Sequence, residues 1–100
     1  MRITPYALAA CWLTRAADAG HPAAQSFLGQ LYFDGLGVAR DYVQAYVWFS
    51  VAEANGYRQS QASREKAETR MSAAQHEEAV PRAQERSPQW AHRTQGLEQP

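Results

Sequence analysis

The segment LGQLYFDGLGVARDYVQAYVWF, residues 28–49, decides how the rest of the chain is read. Gly35 and Gly37 separate two runs of aromatic and aliphatic residues. A Gly-x-Gly element of this kind is either a phosphate-cradling loop or a corner between packed helices. A phosphate loop follows a strand and needs a trailing Lys-Ser/Thr or a third glycine. Neither follows here, and the residues before the glycines have helical spacing, with Ala24, Leu28, Leu31 and Tyr32 on one face. The corner is therefore the reading: helix, tight turn, helix. Gly29 lets a neighbouring helix come close, and Tyr32 and Trp48 are large enough to fill the gap between paired helices.

Working outward, the helix boundaries are marked by caps. Thr4-Pro5 starts a helix with a hydroxyl and a proline whose missing N–H costs nothing there. That helix runs to a stop at Gly20. His21-Pro22 opens the second helix, with His21 expected as its cap. Asp41, followed by Gln44, has a capping-box pattern for a third helix. Tyr42, Ala45, Trp48, Phe49 and Ala52 line one side of it, and Asn55-Gly56 ends it. A polar fourth helix is predicted over 58–70, with Ala62, Ala67 and Met71 as its apolar edge. Ser72 with Gln75 starts a short helix through Val80, and Pro81 is expected to break or kink it. Residues 81–100 are predicted to be a loose polar tail.

Composition agrees with an all-α chain. Of the 100 residues, 19 are Ala, the best helix former, and only six are Val or Ile. The length allows one small domain with a modest core. A shift of 36 residues superposes Tyr6 on Tyr42, Ala9 on Ala45, Trp12 on Trp48, Ala16 on Ala52, Gly20 on Gly56 and Gln25 on Gln61. A period in the thirties marks an α-solenoid of stacked helix pairs.

The pattern A-x-x-x-L-G-x-L-Y-x-x-G-x-G-V-x-x-D-Y-x-x-A-x-x-W-x-x-x-A-x-x-x-G resembles the Sel-one-like repeat, a tetratricopeptide-like helix pair. It is carried by Ala24, Leu28, Gly29, Leu31, Tyr32, Gly35, Gly37, Val38, Asp41, Tyr42, Ala45, Trp48, Ala52 and Gly56. On this resemblance residues 21–56 form a complete repeat and 1–20 hold the second helix of a preceding one. Residues 57–80 are similar to degenerate closing helices, although they lack the L-G-x-x-Y signature. The resemblance implies an α-α superhelix, a bacterial source and a protein-interaction scaffold with no chemistry or cofactor of its own.

Other functions find little support in the residues. Ten basic and ten acidic residues balance, so no overall field attracts nucleic acid or an anionic membrane. His21, His76 and His92 are scattered, and His76-Glu77-Glu78 has Val80 where a zinc helix needs its second His. Arg58, Arg64, Lys66 and Arg70 are interleaved with Glu65 and Glu68, as in a helix laced with ion pairs. Cys11 is the lone cysteine and is read as a small core residue. It is also the only nucleophile that a small hydrolase could use, and the end of an L-A-A-C box that would make the chain a membrane-tethered accessory lipoprotein acylated at Cys11. The sequence does not fix the compartment, with the cytoplasm slightly favoured over the envelope. The expected partner surface is Ser26, Gln30, Phe33 and Asp34, which share a face of the second helix, with Phe33 either an exposed anchor or packed on the next repeat. Fewer than three full repeats leave a core open. The open face is expected to be covered by a longer array, by self-association or by a partner protein.

Overall fold

The computed structural model describes residues 4–86. Five helices and no strand occur among the described residues: α1 (Pro5–Asp18), α2 (Pro22–Asp34), α3 (Tyr42–Ala54), α4 (Ser60–Glu68) and α5 (Ala73–Arg86). They lie in two rows. Helices α2 and α4 touch in one row, α3 and α5 pack in the other, and α1 joins the stack through α2.

Local chemistry accounts for most boundaries. The Thr4 hydroxyl accepts from the Ala7 N–H at 3.1 Å, and the Asp41 carboxylate accepts from the Gln44 N–H at 3.1 Å. Ser72 and Gln75 make a full reciprocal capping box, at 2.9 and 3.1 Å. The Asp41–Gln44 pair makes only half of one, because the Asp41 N–H donates instead to the Tyr32 carbonyl at 2.9 Å. His21 occupies the cap position of α2 without a side-chain cap bond. Helix α4 is shorter than predicted, since residues 58 and 59 form a turn before it.

The 36-residue period is visible in the hydrogen bonds. His21 N–H donates to the Ala16 carbonyl at 3.1 Å, and Tyr57 N–H to the Ala52 carbonyl at 2.9 Å. The Thr14 hydroxyl donates to the Ala10 carbonyl at 2.6 Å, and the Ser50 hydroxyl to the Tyr46 carbonyl at 2.7 Å.

The core centres on α3, eight of whose thirteen residues are buried. One cluster joins α3 to Ala67 of α4 and to Ala79 and Ala83 of α5. A second holds Trp48 with Ala17, Ala24 and Leu28, and Tyr32 packs against it. Gly29 lies against α3: a Cβ there would come within 2.8 Å of the Phe49 ring and 3.2 Å of the Ala45 carbonyl oxygen. Gly37 has φ +75°, and a Cβ on it would overlap the Tyr6 carbonyl at the start of α1.

Two expectations need correction. Helix α5 does not stop near Val80; it continues through Pro81 to Arg86. Pro81 removes one helical hydrogen bond, at a cost of about 3 kcal/mol. Ala79 and Ala83, one turn apart across the proline, are both buried against α3, and this docking holds the helix together. Residues 81–86 of the expected tail are thus helical, and the rest of that expectation lies outside the described residues. Cys11 is exposed on α1, not in the core. Its side of α1 points away from α2, toward which Ala10 and Ala17 are turned.

Trp12 and Trp48, equivalent by the period, differ in environment: 61% and 4% exposed. Trp48→Ala is expected to cost about 3–5 kcal/mol, and Trp12→Ala no more than about 0.5 kcal/mol, as read from urea unfolding monitored by circular dichroism. A second expectation concerns Ser60, which stands 36 residues after Ala24 and is fully buried, its hydroxyl without a hydrogen-bond partner. Restoring the small apolar side chain with Ser60→Ala should stabilise the fold by about 1 kcal/mol and raise the urea midpoint.

Candidate functional site

The α2 and α4 row carries the residues singled out from the sequence. Gln30 and Asp34 are exposed, and the Gln30 amide donates to the Asp34 carboxylate at 2.8 Å. Ser26 is half-buried on the same side. Phe33 is the packed alternative and not an exposed anchor: its ring meets Tyr42 edge-on at 5.3 Å. It also lies 6.0 Å from the Lys66 ammonium of α4, within cation–π reach. The exposed aromatic of α2 is Phe27, at 58%. Its spacing from Ala23, Gln30 and Asp34 places all four on one outer face. Helical spacing alone does not tell which of two aromatics six apart finds a neighbour. On α4, Ala62, Ser63, Glu65 and Lys66, with Thr69 at its C-terminal cap, line a shallow depression of about 400 Å³.

The residues expected to be structural lie behind that face. Ala24, Leu28, Gly29, Ala45, Trp48 and Ala52 are buried, while Tyr32, Gly35 and Asp41 are half-buried and Gly37 and Gly56 are exposed turn residues. One contributor was missed. Gln25 is 3% exposed and clamps two helix ends: its amide donates to the Ala17 carbonyl at 3.0 Å and accepts from Asn55 at 3.0 Å. Its recurrence at Gln61 was the available signal, but Gln61 is exposed and bonds only Glu65, at 3.3 Å.

Between α3 and α4 the period carries a change of chemistry. Ala17, Leu28 and Tyr32 pack around Trp48 at the α1–α2 step. Thirty-six residues on stand Glu53, Arg64 and Glu68. Arg64 bonds both carboxylates, each at 2.7 Å, and His76 Nε2 lies 3.9 Å from Glu68. Burial pushes the Arg64 guanidinium down, but the Glu53 hydrogen bond and the two negative charges outweigh it, so it sits above its ordinary pKa. Burial also raises the Tyr46 phenol; His76 stacks edge-on against its ring at 5.3 Å. On the opposite side, the Arg86 guanidinium covers the Trp48 ring at 4.4 Å and reaches Asp18 of α1 at 3.3 Å.

The described residues do not bring Cys11 and His21 together. Cys11 is exposed on α1, His21 begins α2, and no hydrogen bond joins or orients them among the described residues. No cluster of three metal-ligating side chains occurs among those residues, and no described helix is long and apolar enough to cross a membrane.

Helices paired in antiparallel fashion and stacked with a 36-residue register, around a tryptophan set between small residues, define an all-α repeat solenoid. The Sel1 repeat model matches residues 6–21 and 22–57, more than half of the sequence, and the chain belongs to the Sel1 repeat family. Among solved structures it is similar to c5321, a protective antigen present in uropathogenic Escherichia coli strains displaying an SLR fold. The identity is 38% and the TM-score 0.86, over 95% of this chain and 21% of that one. The chain thus spans about a fifth of the length of that relative. Comparison with curated proteins returned no match.

The ionic layer generates a prediction. Arg64→Leu alone leaves Glu53 and Glu68 unpaired and should cost about 1–2 kcal/mol, between the values for exposed and buried pairs. The triple change Glu53→Ala, Arg64→Leu, Glu68→Tyr removes all three charges together and, although exposed Gln84 stands where the α1–α2 layer has Trp48, should recover most of the single variant's loss. Urea midpoints of the parent, single and triple variants check both expectations.

Proposed function

We propose that the chain is a non-catalytic scaffold that holds a partner polypeptide along the outer face of α2 and the adjoining surface of α4. The carrying observation is Phe27, more than half exposed beside the Gln30–Asp34 hydrogen bond. An exposed aromatic flanked by fixed polar groups has the makings of an interface anchor. Ser26, Gln30 and Asp34 offer hydrogen bonds to a peptide backbone or side chain. Lys66, held near Phe33, adds a cation at the edge. Phe33 supports the surface from below. Solenoids bind along extended surfaces of this kind.

Acylation at Cys11 would require cutting α1 between Ala10 and Cys11. Cleavage ahead of Cys11 would remove the Thr4 cap and the buried Ala10. Intact-mass measurement of the protein from its native host distinguishes the two forms.

The partner surface is tested by site-specific photo-crosslinking. A benzoylphenylalanine at position 27 is expected to capture a discrete partner in the native host, and one at exposed Ala74 of α5 is not. Phe27→Ala should weaken capture from position 30 at least tenfold while leaving the melting temperature unchanged. Equal capture from 27 and 74, or capture indifferent to Phe27→Ala, would place the partner elsewhere.

A further inference from the structure

The C-terminal ends of α1 and α3 border a cleft of about 540 Å³, lined by buried Gln25 and Trp48 and by Asp18, Gly20, Asn55 and Arg86 nearer the solvent. A helix C-terminus is the negative end of the backbone dipole and leaves carbonyls without an intrahelical partner. Asp18 adds a carboxylate. The two helices supply little to neutralise this end. Helix α3 has no basic residue in its last turn, and Arg15, in the last turn of α1, lies over the Trp12 ring at 5.7 Å. Arg86 is the one cation among the described lining residues, and α5 contributes no other residue to the lining. Its guanidinium stands 4.4 Å from the centre of the Trp48 ring and 3.3 Å from the Asp18 carboxylate. The receiving side is held in place without Arg86. Ala17, Ala24 and Leu28 pack around Trp48, and the Gln25 amide is engaged by the Ala17 carbonyl and Asn55. The occupying side is held lightly: Arg86 and Asp18 are both exposed, and an exposed ion pair contributes little.

We propose that this cleft is a binding site for an arginine side chain of a partner polypeptide, and that Arg86 fills it in cis when no partner is bound. A fixed aromatic face, a carboxylate and two negative helix ends suit a guanidinium, which stacks flat on the ring while its N–H groups reach the acceptors. Lysine, a compact and strongly hydrated charge, cannot do both as well. Arg86 also shows the mode of entry. As the single residue that α5 lends to the cleft, it reaches the ring by its side chain alone, so a partner needs to present only one surface arginine. In the exchange the incoming guanidinium takes the place over Trp48 and the bond to Asp18, and Arg86 passes into water. One cation faces Asp18 before and after, so no charge is left uncompensated. The exchange is therefore close to balanced, and the partner's remaining contacts tip it. Phe27, Gln30 and Asp34 do not line the cleft, so the site is separate from the α2–α4 face and does not depend on it.

The test titrates the full chain with N-acetyl-arginine N-methylamide while NMR follows the Trp48 indole N–H and the Asn55 side-chain amide. Arg86→Ala vacates the site and is expected to keep the parent's helical circular dichroism. With its intramolecular competitor removed, this chain should bind the probe saturably and about fivefold or more tightly than the parent. Adding Asp18→Asn to it should weaken binding about threefold or more. The citrulline analogue, equal in shape but uncharged, should give no saturable shift at matched ionic strength. Free arginine, whose α-carboxylate faces the negative helix ends, should bind no better than the capped probe. Phe27→Ala should leave the titration unchanged. A Trp48 signal that answers both analogues alike would overturn the proposal, as would equal affinity in the parent and Arg86→Ala chains or indifference to Asp18→Asn. Loss of helical signal in Arg86→Ala would overturn it too, by making the contact a structural one. Tighter binding of free arginine would assign the cleft to a small molecule in place of a partner polypeptide.

Discussion

Where α2 crosses α3, a glycine faces a phenylalanine. Gly29 lies so close to Phe49 and the Ala45 carbonyl that a single added carbon would collide with the ring. This proximity sets the depth at which the two helices interlock. It brings Trp48 within reach of Ala24 and Leu28, and through them of Ala17 on α1. It also holds the end of α3 near the start of α2, where Gln25 joins the Ala17 carbonyl to Asn55. The cavity and unpaired amide that a wider crossing would create are each costly in a body this small. Backbone proximity at one glycine thus propagates to the union of three helices.

Much of this was legible before any coordinates, for definite reasons. Caps act through hydrogen bonds a few residues apart, so Thr4, Asp41 and Ser72 marked helix starts reliably. The 36-residue register was likewise readable, because the same residues recur in the same local settings. What could not be read was the presence of a neighbour. Trp12 and Trp48 have equivalent sequence contexts, but only one is covered. Phe33 and Phe27 both suit an exposed or a packed position, and α4 decides by placing Lys66 over one of them. Pro81 obeys its local rule at the level of one hydrogen bond, but burial of Ala79 and Ala83 on either side overrides the expected stop. Of the candidate site, the helix and the face were legible and the aromatic anchor was not.

Across the stack the chemistry of equivalent layers diverges while the geometry persists. Leu28 and Arg64 occupy matching places, flanked by Ala17 and Tyr32 in one case and by Glu53 and Glu68 in the other. An apolar layer stabilises in proportion to the area it removes from water and accepts many partners of suitable shape. An ionic layer contributes little net stability but tolerates few alternatives, because an uncompensated charge is penalised. The change therefore trades adhesion for selectivity at the α3–α4 step. Stability there is carried instead by the small side chains Ala67, Ala79 and Ala83 beneath α3, and Arg86 reinforces it by bridging Trp48 and Asp18.

This divergence gives the described body two unlike flanks. On the α1 side the exposed large apolar residues are Tyr6, Leu8 and Trp12, whereas Tyr42 and Trp48, the period counterparts of the first and last, pack against α2. On the α5 side the exposed face includes the Arg82–Glu78 pair, separated by 2.7 Å, together with Glu77 and Glu85. A hydrated ion pair resists desolvation by an apolar helix, whereas an exposed tryptophan gains from it. The two flanks therefore differ in the kind of contact they favour: α1 an apolar surface, α5 water or a polar one. Between them the α2–α4 face, with one exposed aromatic among hydrogen-bonding groups, suits a third and more discriminating kind of contact. A repeat that differed from its neighbour only in position could not separate these roles; changing Leu28 to Arg64 and Tyr32 to Glu68 in the next step separates them without altering the helical register.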